Sequence, residues 1–411
     1  MPRKKQKIEE NNLYENSLLS LIFNHEDVEL KNLIKNMLKM RPSTDTWCGI
    51  IATPPHTLLE LIISEFNSKT NIPLEIPFFT FFHFFAAYLL NHEIVIQYRR
   101  ENIRTDIWTV ILAPSGSAKT FTRKCLMNSI SDFKGLSESI EGIVSQRGLI
   151  EVIEKNNHKL LYRDEFNELY TQMLSNGQLA NCKDIFLRAY DNSDISWQSK
   201  KDSIYVKNVA FVFLGTTIKD IFLQDLTARD VLSGFMQRIS ILIAEKDSKK
   251  DFRNYPFYDI NYDAWQDEWD KLTQSIKHGT YLIDENAERA YTTTFRMLAD
   301  IDIDESFYRR QLWKTIKYSL IYHILLGKGE EKIICPEAFG WAARVAYLML
   351  SDTIGLLKEH DKSELQKKLQ AVDKIRQKCN EKNVEFTARA VVTGTRLIKT
   401  VAEAKALMSL L

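Results

Sequence analysis

"ILAPSGSAKTFTRK", residues 111–124, decides how the chain is read. A phosphate-binding loop usually follows the pattern G-x-x-x-x-G-K-[ST]. Here the closing pair Lys119-Thr120 is intact, while Ala113 and Ala118 stand where the two glycines should be. Such a loop works when a strand delivers the chain into a tight turn at a helix N-terminus. Backbone N–H groups then wrap the phosphates, the lysine reaches their outer oxygens, and the hydroxyl takes a Mg²⁺ ion. The apolar run "IWTVIL" (107–112) predicts the strand, and a helix is expected from near Lys119. Gly116 keeps one flexible position in the turn, and Ala118 fits if its φ is negative. Pro114, Ser115, Gly116, Ser117, Ala118, Lys119 and Thr120 are thus the candidate ATP cradle; the competing reading is a structural turn.

A second constellation follows 45 residues after Lys119, where "LLYRDEFNELY" sets Asp164-Glu165 at the end of an apolar strand. In that order the pair has the character of a Walker B motif. Asp164, with Thr120, would hold Mg²⁺, and Glu165 would polarise the attacking water. Taken alone, an Asp-Glu pair after a strand is equally a helix start with favourable acidic charge. Further on, the strand 209–215 runs into Thr216 and Thr217, which would orient the water or simply cap a helix. "SGFMQRISILI" then predicts a helix ending at Arg238 before another strand. An arginine there can reach a neighbouring subunit's phosphate and supply charge in trans; Arg229 is the weaker candidate.

These residues carry a family resemblance. "GSAKT" (116–120) resembles the P-loop of minichromosome-maintenance proteins, "DEF" (164–166) their Walker B, and "FMQR" (235–238) their arginine-finger motif. The stretch 105–250 resembles a AAA+ ATPase of the clade joining MCM-like and superfamily 3 replicative helicases, with phage- and plasmid-encoded members nearest; 260–360 resembles it loosely. The resemblance implies an α/β fold with a parallel sheet, ATP and Mg²⁺ as cofactors, and a homo-oligomeric, hexameric ring. It further implies single-stranded or forked DNA as substrate and a primase-polymerase as a possible partner. Ala113, and threonines where an asparagine is usual, depart from the pattern, and the first hundred residues match no MCM N-terminal domain.

"SDISWQSKKDSIYVKNVAFV" (193–212) alternates apolar and polar residues on both sides of "SKKD", a hairpin signal with Lys200 and Lys201 near its tip and Lys207 beyond it. In the resembling clade a hairpin at this place points into the ring channel and grips one DNA strand. The plainer reading is a soluble exposed tip. Local lysines matter because the chain as a whole is near neutral, with 55 Lys and Arg against 54 Asp and Glu. Any nucleic-acid binding must come from a patch, not from net charge. In the helical region beyond residue 260, Arg310, Lys314 and Lys317 are candidates for a sensor 2 cation or for a solvated basic face.

The hydrophobic fraction of 45% supports a sizeable core. "IPFFTFFHFFAAYLL" (76–90) is shorter than the ~20 residues of a bilayer span, so it reads as a buried helix with His83 as a core histidine, and no membrane partner is expected. Five scattered cysteines without a C-x-x-C pair, and a basic "MPRKKQK" without an apolar run after it, fit a reduced cytoplasmic protein. Four segments are expected: a helical N-terminal domain (1–100), the ATPase core (101–250), a helical lid domain (251–360) and a helix-turn-helix or partial winged-helix tail (361–411). Two functions are compatible with this pattern. One is an ATP-dependent, ring-forming DNA helicase or translocase serving a phage, plasmid or other mobile element. The other is a AAA+ DNA-binding regulator or clamp that assembles with ATP without unwinding. A non-hydrolysing protein with a decayed loop is a third, opposed by the intact Lys119, Thr120, Asp164, Glu165 and Arg238.

Overall fold

A computed structural model of the chain describes residues 52–143, 145–174, 179, 182–200, 202–226, 234–245, 255, 257–299, 305–381, 384–395 and 397–409. The expected helices before residue 52, Arg229 and Lys201 lie outside these residues. The strands are β1 (Val95–Tyr98), β2 (Glu101–Ile103), β3 (Trp108–Leu112), β4 (Ser137–Ser139), β5 (Leu160–Arg163), β6 (Ile195–Gln198), β7 (Ser203–Val206), β8 (Val212–Thr217), β9 (Ser240–Ile243) and β10 (Thr280–Leu282).

Five of these make one all-parallel sheet in the order β4, β5, β8, β3, β9. Its three central strands are buried along their whole length. That is why they read as unbroken apolar runs: a parallel strand covered on both faces has no solvent side to alternate with. One face carries Ile111, Leu160, Tyr162 and Leu214, which share a core with the Phe-rich helix Glu75–Asn91 and with Leu126 of the helix Lys119–Ser129. On the other, Trp108 stacks on Phe211 at 5.0 Å and meets Phe186 edge-on at 5.6 Å.

The Phe-rich helix is buried along its length except at Asn91. Its rings are taken up by later residues: Phe85 meets Trp269 at 5.2 Å, and Phe82 meets Tyr322 at 5.3 Å. A second small sheet joins β1 to β10 in parallel and to β2 antiparallel. Residues on either side of the main sheet in sequence are therefore interlocked in space. His83 is the expected core histidine. Its Nδ1–H donates to the Phe79 carbonyl at 2.6 Å, and burial holds its pKa down at about 3, so the ring is neutral. No helix among the described residues is long and apolar enough to cross a membrane.

The chain divides into two compact units, residues 1–352 and 353–411. The second is built from the later turns of the helix Pro336–Glu381 and two short helices, Ala388–Gly394 and Val401–Met408. Its core is Val372, Ala388, Val391, Ile398, Ala404 and Leu407. Thr387 and Thr400 cap the two short helices through their side-chain oxygens.

Candidate functional site

The loop after β3 leaves the sheet at its C-terminal edge. Ala113 N donates to the Thr217 carbonyl at 2.9 Å, which ties the loop's start to the end of β8. Gly116 turns the chain with φ 71°, and the Ser117 hydroxyl donates to the Pro114 carbonyl at 2.6 Å, holding the loop closed. The helix then begins at Lys119.

Ala118 corrects one sequence expectation. Its φ is +54°, in the left-handed region, not negative. For an L-residue this costs about 1–2 kcal/mol relative to the right-handed form. The loop therefore keeps the backbone shape of a glycine while carrying a methyl group, which packs against the main core. As N-cap, Ala118 offers no side-chain acceptor, whereas Thr57 and Ser145 cap their own helices. The first N–H groups of the Lys119 helix are left to an external acceptor, and the helix dipole makes an anion the favoured one.

Three functional candidates meet at a fourth, Asp164. Thr120 Oγ1 donates to its Oδ2 at 3.3 Å, Thr216 Oγ1 to its Oδ1 at 2.5 Å, and Lys119 Nζ lies 3.9 Å from Oδ1. Glu165 follows with φ +47°, a second left-handed residue, and its side chain is exposed. Gly215 permits this turn. A Cβ there would come within 3.1 Å of Val110 and 3.2 Å of Phe166, so the helix that starts at Phe166 would have to shift by a few tenths of an ångström to keep its packing on the sheet. The strand order matters as much. Because β8 lies between β3 and β5, the cradle and the two carboxylates stand one strand apart, and Thr216 points into the gap. The donor set suits a nucleotide with its ion: an uncapped helix start and lysine for phosphate, a carboxylate and a hydroxyl as hard oxygen ligands for Mg²⁺.

Arg238 is elsewhere. It ends the helix Phe235–Arg238 just before β9, whose Ser240 pairs with Thr109 at the start of β3. The five residues of β3, at about 3.3 Å each, put roughly 15 Å between that edge and the cradle. Arg238 is largely buried, bonded to Asp191 Oδ2 at 2.8 Å and to the Gly234 carbonyl at 3.1 Å. Arg310 stands beside it, over the same Tyr190 ring, and burial plus the Arg238 charge lowers its pKa.

Lys314 and Lys317 correct a second expectation. Neither is a solvated face nor near the cradle. Lys317 Nζ bonds Asp106 at 2.8 Å with both side chains buried, and Lys314 Nζ donates to Ser240 Oγ at 2.9 Å, both at the N-terminal edge of the sheet. The apolar periodicity of "LWKTIKYSLIYHILL" carried no sign of this, because a lysine stem packs like an aliphatic side chain.

The hairpin forms as its alternation predicts, pairing Ile195 with Val206 and Trp197 with Ile204. Lys200 is exposed at the tip and Lys207 at the foot of β7. A residue that the sequence reading missed fastens it. Arg147 lies over the Trp197 ring at 4.9 Å and bonds Asp202 and Glu151, each at 2.7 Å. No local motif marks Arg147; only the fold brings it to the hairpin.

The chain matches no protein-family model and no characterised protein.

Proposed function

We propose that the chain is a AAA+ ATPase of the MCM-like and superfamily 3 type, working as an ATP-dependent, ring-forming DNA helicase or translocase. The observation that carries this is the convergence of Lys119, Thr120 and Thr216 on Asp164 at the C-terminal ends of adjacent parallel strands, with Glu165 next in line. The order of the five strands supports it, since β8 separates the strand that leads into the cradle from the strand that leads into Asp164 and Glu165.

On this reading the loop Pro114–Thr120 and the helix start bind the phosphates of ATP. Thr120 and Asp164 hold Mg²⁺, which supplies charge neutralisation on the phosphate oxygens. Thr216 keeps Asp164 oriented. Glu165 accepts a proton from the attacking water. Arg238 lies at the opposite edge of the sheet from its own cradle, and on this reading it exchanges Asp191 for a phosphate of a second copy of the chain. The exposed lysines of the hairpin, Lys200 and Lys207, with Lys201, contact the phosphates of a single strand.

Mixed assemblies test the reading. Arg238→Ala should bind ATP normally and hydrolyse it on the order of 10³-fold more slowly, because the charge acts on the transition state. Glu165→Gln should bind without turnover. Mixed together, the two can form one complete interface, so ATPase activity should return above either variant alone. If confirmed subunit exchange restores nothing, Arg238 does not act in trans. Displacement of a strand from forked DNA with ATP separates a helicase from a AAA+ regulator or clamp that assembles without unwinding.

A further inference from the structure

Beside the cradle lies an aromatic cluster that the phosphate chemistry does not use. Phe121 directly follows Lys119-Thr120, and its ring meets Tyr258 edge-on at 5.4 Å. Tyr258 in turn contacts Tyr255, with centroids 6.0 Å apart. The Tyr258 hydroxyl donates to Asn71, and Asn261 N donates to Glu65 Oε1 at 2.8 Å, so the segment is anchored behind the rings. Yet Tyr255 is 52% exposed and Phe257 is 86% exposed.

One exposed apolar ring needs no explanation. Tyr255 is joined through Tyr258 and Phe121 to the helix that starts the cradle, and Phe257 follows it two residues on, almost fully exposed. A nucleotide held by its phosphates at Lys119 must place its base beyond the ribose, outside the loop. Exposed aromatic rings tied to the helix that starts the cradle are suited to take a heterocycle through its face.

We propose that Tyr255 and Phe257 form the stacking platform for the purine base of the bound nucleotide. The proposal rests on the nucleotide reading of the cradle and deepens it by naming how the base is recognised. Stacking uses the π-face, which adenine and guanine share, and a larger ring system gains more from it. The site therefore selects purine over pyrimidine and discriminates weakly between the two purines.

The test is equilibrium binding by calorimetry to the full chain, with Mg²⁺ present and ATP, GTP, CTP and inorganic tripolyphosphate as probes. The wild type should bind ATP and GTP with similar affinity and CTP several-fold more weakly. Tyr255→Ala combined with Phe257→Ala should weaken ATP binding about tenfold or more. The same variant should leave tripolyphosphate binding unchanged, and Phe257→Tyr should retain the wild-type preference. Both target residues are on the surface, so circular dichroism should be unaltered. Unchanged ATP affinity in the double variant would overturn the proposal, as would an equal loss of tripolyphosphate, which would mean damage to the loop. Unchanged ATP affinity with altered light scattering would assign the patch to contact between copies instead. A wild type that binds neither ATP nor tripolyphosphate would sink the cradle itself, a distinct failure from loss of the base platform.

Discussion

Lys314 and Lys317 lie one turn apart on the same helix, are almost equally buried, and should respond to the same substitution in opposite ways. Lys317 is paired: its Nζ bonds Asp106 Oδ1 at 2.8 Å and the Asp106 carbonyl at 3.0 Å, and the second carboxylate oxygen accepts from Asn192 at 2.8 Å. Lys317→Met keeps the stem and removes the charge, which strands a carboxylate that is 1% exposed. Breaking one side of such a pair costs about 3–5 kcal/mol. Lys314 has no carboxylate partner among the described residues, only the Ser240 hydroxyl, and burial beside Lys317 and Arg310 pushes its pKa well down. Lys314→Met removes a disfavoured charge, so the variant should fall within about 1 kcal/mol of wild type or exceed it. Urea unfolding of the full chain, followed by tryptophan fluorescence, reads both, since Trp108 and Trp269 are fully buried in the first unit. With a slope of about 3 kcal/mol per molar urea, Lys317→Met should lower the midpoint by about 1–1.7 M. The pH dependence carries the same sign argument. The native state binds fewer protons at Lys314 than the unfolded chain, so stability rises as pH climbs toward the ordinary lysine value, and Lys314→Met should flatten that rise. A Lys317→Met protein as stable as wild type but slow in hydrolysis would refute the structural assignment and return Lys317 to the nucleotide.

Lys119→Ala should abolish ATP binding in calorimetry, because it removes the cationic contact to the phosphates at a loop whose other donors are backbone N–H groups. Wild-type affinity in that variant would place the nucleotide elsewhere. Lys200→Ala with Lys207→Ala should leave basal ATPase intact while weakening binding to a single-stranded oligonucleotide and flattening its salt dependence by about 0.7 in slope per lost phosphate contact. Arg147→Ala leaves both lysines in place but unfastens the hairpin, so its effect on the same assay should be smaller than theirs.

The sheet was legible where burial and sequence coincide. The runs 107–112, 158–164, 209–215 and 239–245 predicted β3, β5, β8 and β9 to within a few residues, because strands covered on both faces must be apolar throughout. The edge strand β4 was not, since "SES" has neither apolar character nor alternation and is a strand only through its pairing with β5. Strands β1, β2 and β10 escaped for a related reason: each is three or four residues long, too short for an alternation to show, and the pairing of β1 with β10 joins residues far apart in sequence. Of the site, Lys119, Thr120, Asp164 and Thr216 could be named from spacing and are the residues brought together. The backbone of Ala118 and Glu165 could not. Left-handed geometry at a non-glycine residue is imposed by tertiary closure, here by the tie from Ala113 to Thr217 and the close packing of Phe166 on Gly215, and neither leaves a local signature.

The separation of Arg238 from its own cradle is the feature with most mechanical consequence. A guanidinium at the N-terminal edge of the sheet cannot reach phosphates at the C-terminal edge of the same subunit without unfolding β9, to which it is joined by a single residue. In the isolated chain its charge is instead met by Asp191, which is half exposed and therefore contributes only modestly. A phosphate from a second copy would be a stronger acceptor than that carboxylate. Asp191 is not an arbitrary partner. It adjoins Asn192, which bonds both Asp106 and the Val209 carbonyl, and it lies three residues before Asp194, which accepts from Asn208 N at 2.8 Å across the root of the hairpin. The short run from Asp191 to Asp194 thus touches the arginine at one end and the hairpin's base at the other. If Arg238 exchanges Asp191 for a neighbour's phosphate, the released carboxylate sits at the foot of the element that carries Lys200 and Lys207. On the proposed reading, the run 191–194 would be the link between phosphate contact in one copy and hairpin position in the next.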